Sequence, residues 1–109
     1  MAYDEGLAQR LRERMERFDG IVEKKMFGGL AFMLRGNMCC GVINDRLMAR
    51  VGPKAYADAL NRPGATQMDF TGKPLKGFVY VAGEAIDDDA DLDDWIRTCS
   101  DFALSLPAK

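Results

Sequence analysis

The strongest constraint on this chain lies between residues 21 and 51. There, four short apolar segments are divided by turn residues only two or three positions long. Ile21 to Phe27, Leu30 to Leu34, Met38 to Ile43 and Arg46 to Val51 are separated by Gly28-Gly29, Arg35-Gly36-Asn37 and Asn44-Asp45. Connections this short join antiparallel strands, because a parallel crossover needs a dozen residues or more. The expectation is an antiparallel meander. Met38, Cys40 and Val42 alternate with Cys39, Gly41 and Ile43, and neither set is polar. That strand is expected to be central and covered on both sides. Strict alternation also places the adjacent Cys39 and Cys40 on opposite faces.

Helices bracket this sheet. Leu7, Leu11, Met15 and Phe18 recur at helical spacing, so the spacing predicts a helix over Asp4 to Phe18. Asp4 is its N-cap and Asp19-Gly20 its stop. Gly52-Pro53 is read as opening a short helix that runs to Leu60. Residues 65–77 read as a long surface loop, with a short strand at Gln67 to Phe70 as an alternative, and Phe78 to Val81 as a further strand. Leu92, Trp95, Ile96, Cys99, Phe102, Ala103 and Leu106 form the apolar stripe of a final helix, closed by Pro107. The fold class is therefore α+β: an antiparallel sheet of about five strands flanked by N-terminal and C-terminal helices. With 109 residues, one domain over 1–109 is expected.

Composition removes several functions. Histidine is absent, and with it the commonest general base and nitrogen metal ligand. Serine or cysteine triads of the usual form are excluded. Cys39, Cys40 and Cys99 make neither a C-x-x-C pair nor a disulfide framework, and they read as reduced, packed thiols. No apolar run reaches the roughly 20 residues of a membrane helix, and the first residues lack a secretory h-region. No membrane contact and a cytoplasmic location are expected. No cofactor, metal or catalytic residue is expected.

The remaining motifs have simpler structural roles. Asp89, Asp91 and Asp93 alternate as in a calcium loop, but Asp94 occupies the glycine position and Ser100 the glutamate position. The acidic run from Glu84 to Asp94 is read instead as capping the last helix. Gly72-Lys73 is followed by Pro74, so it completes no phosphate loop. Lys76 to Val81 partly fits an RNA-binding aromatic strand, with Phe78 and Tyr80 on one face, but fails at Val79 and Gly83. Both rings are then expected beneath a helix. Met26, Met33, Met38 and Met48 fall in the sheet and are read as core filler rather than a binding surface.

Charge is uneven around a net −2. Residues 1–54 hold 10 Lys/Arg against 7 Asp/Glu, and residues 55–109 hold 5 against 10. Arg10, Arg14 and Arg17 on the first helix, with Lys24 and Lys25, make a candidate phosphate patch. The simpler reading pairs the helix arginines with Glu13 and Glu16.

A longer pattern runs through these elements. Lys25-Met26-Phe27-Gly28-Gly29-Leu30-Ala31-Phe32, Gly36-Asn37-Met38, Asp45-Arg46-Leu47, Lys76 to Val81 and the Trp95 helix ending Leu106-Pro107-Ala108-Lys109 resemble the N-terminal domain of the TfoX/Sxy competence regulators. That resemblance implies a compact α+β domain similar to secretion chaperones, with no established catalytic residues. It implies a co-regulatory role beside a DNA-bound activator. The residues end at Lys109, so the domain is expected without the regulators' helical C-terminal domain. The expected function is a non-catalytic regulatory, protein-interaction domain. The alternative is a nucleic-acid-associated co-regulator using the basic patch. Expected partners are a protein, a transcription activator among the candidates, or a second copy in a homodimer. Met26, Phe27, Gly28 and Gly29 are the motif, read either as a core anchor with its bend or as an interaction surface.

Overall fold

The computed structural model describes residues 3–26, 28–69 and 74–108. It contains α1 (Glu5–Met15), β1 (Ile21–Met26), β2 (Gly29–Leu34), β3 (Asn37–Ile43), β4 (Arg46–Arg50), α2 (Tyr56–Leu60), β5 (Ala65–Asp69), β6 (Pro74–Val81), a 3-10 turn (Gly83–Ile86) and α3 (Asp89–Ser105). The strands form one antiparallel sheet in the order β1-β2-β3-β4-β6-β5. The expected α+β architecture is present, with six strands.

Local signals set the helix starts. The Asp4 carboxylate accepts hydrogen bonds from the Gly6 and Leu7 N–H groups at 2.8 and 3.1 Å. The Asp88 carboxylate does the same for Ala90 at 2.9 Å. Each satisfies donors that the helix leaves unpaired. Leu7, Leu11 and Met15 from α1 and Leu92, Trp95, Ile96 and Cys99 from α3 then pack on Phe32, Cys40, Val42 and Leu47 of the sheet. β3 is interior, and all seven of its residues are buried.

Four expectations need correction. First, α1 stops at Met15 rather than Phe18. The chain must turn there into β1, and Gly20 at φ +83° accepts from the Arg35 N–H at 3.2 Å. Second, Gly52-Pro53 does not open α2, which begins at Tyr56. Gly52 sits at φ +86°, and its N–H and that of Val51 both donate to the Gly77 carbonyl. That left-handed conformation cannot join a right-handed helix. Third, residues 65–77 are not mainly loop: β5 and β6 pair antiparallel across most of that stretch. β5 overlaps the short strand read at Gln67 to Phe70 but starts earlier; its signal is weak because Thr66, Gln67 and Asp69 are exposed, leaving only Met68 fully buried.

The fourth correction concerns the cysteines. Phe32 pairs with Cys40 and Met33 with Met38, so Cys39 is an extra residue in the β3 ladder. A bulge of this kind breaks the two-residue alternation. Cys39 and Cys40 both join the helix-side core, with Cys99 of α3 in the same cluster.

Candidate interaction surface

Every helix packs on one side of the sheet. The other side carries a second, smaller apolar cluster: Ala31, Met38, Ile43, Met48, Met68 and Tyr80, edged by Met33, Leu75 and Phe78. No helical residue belongs to it among the described residues. Phe78 and Tyr80 do share a face, but it is the helix-free one, not the one beneath a helix. Register explains why. Val79 and Val81 oppose Ala49 and Leu47, which face α3, so the intervening aromatics face away.

Two arginines cover those rings. The Arg46 guanidinium lies 4.0 Å from the Tyr80 ring centroid, and Arg50 lies 5.5 Å from Phe78. Stacking of this kind holds a planar cation in place while its N–H edges stay available. Among the described residues, neither guanidinium has a carboxylate partner. Each ring thus has a guanidinium over it, and the face carries two cations.

The arginines near the helices are occupied. Arg12 makes a fork to Glu23 at 2.7 and 2.8 Å. Arg10 pairs with Asp89 at 3.0 Å, and Arg14 with Asp89 at 2.6 Å and Asp93 at 2.9 Å. Their partners are not Glu13 and Glu16, as local spacing suggested. Hydrogen bonds from Arg10 and Arg14 hold the Asp89 carboxyl below its ordinary range, and one from Arg12 does so for Glu23. Arg62 lies 3.5 Å from the Trp95 ring centroid and donates to the Thr98 hydroxyl at 3.2 Å.

The candidate phosphate residues come from α1, the turn after it and β1. Arg10 and Arg14 are committed to α3, and Arg17 lies 4.9 Å from the Phe18 ring centroid. Lys24 and Lys25 are exposed on the edge strand β1. They alternate faces, since Lys24 opposes Ala31 of the helix-free cluster and Lys25 opposes Leu30 of the core.

In the family motif, Gly28 makes the turn at φ +77°. A Cβ on Gly29 would overlap the Val42 carbonyl oxygen. Backbone geometry favours glycine at both positions. Phe27 lies outside the described residues, as do Gly72 and Lys73 of the rejected phosphate loop. All three thiols are buried. A hydrogen bond with Cys39, followed by burial, pushes Cys40 well above the usual thiol range. Burial does the same for Cys99. The Cys40 Sγ rests 3.4 Å from the Met15 Sδ. Protonated, buried thiols of this kind are poor nucleophiles.

The residues that sequence reasoning missed are Arg46 and Arg50. A signal was present: Arg46, Met48 and Arg50 alternate along one strand, as Phe78 and Tyr80 do along another. Reading it required knowing that β4 and β6 are neighbours.

An α+β domain with helices on one sheet face and stacked cations on the other is the class that fold and surface define. The chain belongs to the TfoX N-terminal domain family, whose model matches residues 13–103. Comparisons with curated proteins and with solved structures returned no match. The domain is accordingly competence-regulator-like. No helix among the described residues is long and apolar enough to cross a membrane.

Proposed function

We propose that this chain is a non-catalytic, cytoplasmic regulatory domain that works by binding an acidic protein partner on its helix-free sheet face. Family membership over residues 13–103 carries the regulatory part of this reading. Arg46 and Arg50, ring-stacked and without a carboxylate partner among the described residues, support the choice of surface and the sign of the partner. The partly buried Met33, Leu75 and Phe78 at the edge of the cluster supply an apolar border. The reading as a nucleic-acid co-regulator has less support, since Arg10 and Arg14 are already neutralised by Asp89 and Asp93. A second copy of the chain is also an acidic partner through Asp91 and Asp94 of α3, which are exposed and make no ion pair among the described residues.

The test is affinity capture from a lysate of the source organism, with and without nuclease, using the chain and a folded R46E/R50E variant. The reading expects a nuclease-resistant protein that the variant loses and whose binding maps to an acidic segment. Sizing of the purified chain against the variant separates self-association from a foreign partner. Capture that vanishes with nuclease, or that the variant retains, would overturn the reading.

A further inference from the structure

A cleft of about 510 Å³ lies between the β4–α2 turn and the C-terminal half of α3. We propose that it binds a small zwitterion with an apolar body, of amino-acid to dipeptide size.

The walls are built and held. Phe102 presents its ring to the cleft, opposite Val51, Pro53 and Ala55. The ring is clamped. Arg50 lies 5.2 Å from its centroid, and the Gly52 backbone approaches so closely that a Cβ there would overlap the ring. The turn itself is pinned by the Val51 and Gly52 N–H groups, which donate to the Gly77 carbonyl at 2.8 and 3.1 Å. A cavity of this size falls within the ordinary range for small-ligand sites.

The rim chooses the ligand chemistry. The Ser105 hydroxyl is spent on the Phe102 carbonyl, and that of Thr98 on the Asp94 carbonyl and Arg62. Lys54 on the turn and Asp101 on α3 remain, and among the described residues neither has an ion-pair partner. They come from the two elements that enclose the cleft, Lys54 from the β4–α2 turn and Asp101 from α3. A simple carboxylate would gain Lys54 but meet repulsion from Asp101, and a simple amine the reverse. A molecule carrying both charges satisfies both, while its apolar body covers Phe102. The two sites meet at Arg50, but Arg46 belongs to the protein-binding face alone and Lys54 and Asp101 to the cleft alone, so either proposal can fail without the other.

Four probes decide it: Leu-Phe dipeptide, its N-acetyl form, its C-terminal amide, and indole. Binding is read by amide chemical-shift changes in the labelled full chain, up to about 10 mM ligand. The expected result is saturable dipeptide binding with shifts confined to residues 51–55 and 98–105. The capped forms, K54M and D101N should each weaken it about two- to five-fold, the scale of one exposed ion pair. Ser105→Trp, at an exposed helix position, should fill the cleft and abolish binding without altering the fold's circular dichroism. R46E should bind normally. The proposal is overturned by no saturable dipeptide binding, by shifts elsewhere, or by indole or a capped form binding as tightly as the dipeptide. The last outcome would make the cleft a purely apolar hold.

Discussion

Replacing Gly28 and Gly29 one at a time by alanine separates two physical costs within the family motif. Gly28 sits at φ +77° with nothing within 4 Å of an added Cβ. Its alanine variant suffers only left-handed backbone strain, about 1 kcal/mol. Gly29 has the opposite problem. Its added Cβ would overlap the Val42 carbonyl oxygen and lie 3.2 Å from the Ile43 Cα. These are backbone atoms of the neighbouring strand β3, so no flexible side chain can move aside. Overpacking generally costs about 1–3 kcal/mol, and a rigid obstacle belongs at the upper end. G29A is therefore expected to lose about 3 kcal/mol, a large part of a total near 5–15 kcal/mol. At about 4 °C per kcal/mol, Tm should fall by about 12 °C for G29A and about 4 °C for G28A. Urea unfolding followed by the fluorescence of the single tryptophan, Trp95, measures both. Equal losses, or a larger loss for G28A, would refute the steric account of the motif.

Three further outcomes follow from the charges and thiols. Asp89 and Glu23 titrate below their ordinary range because arginines donate to them. Their depressed values add stability that is fully present above the ordinary carboxylate range near pH 4. It is lost as pH falls through the lower folded-state values. D89N should flatten the loss of urea midpoint between about pH 5 and pH 2, and an unchanged acid profile would remove Asp89 from that account. Native Cys39, Cys40 and Cys99 should react with an aromatic disulfide reagent only as fast as the core opens, and promptly in denaturant. One thiol reacting at the free rate in the native protein would contradict their burial. R62A should cost about 1–2 kcal/mol and red-shift Trp95 emission, since Arg62 covers that ring at 3.5 Å; unchanged emission would show that water already reaches the indole.

Much of this architecture is legible without coordinates, because its signals are local. Asp4 and Asp88 cap helices through N–H groups two or three residues away. The turns at Arg35-Gly36 and Asn44-Asp45 join strands that pair directly, and the Trp95 helix shows its buried stripe in its own spacing. The sequence alone determined these because each depends on neighbours along the chain. What tertiary structure decided is which distant groups meet. Arg10 and Arg14 reach Asp89 and Asp93 rather than Glu13 and Glu16, across separations of 79 residues. One extra residue in β3 turns Cys39 to the side of Cys40, against the alternation that any sequence reading must assume. The strand order places Phe78 and Tyr80 under Arg46 and Arg50 on the face without helices. The physical reason is common to all three. Periodicity tells which residues share a face, but only register and packing tell what that face meets.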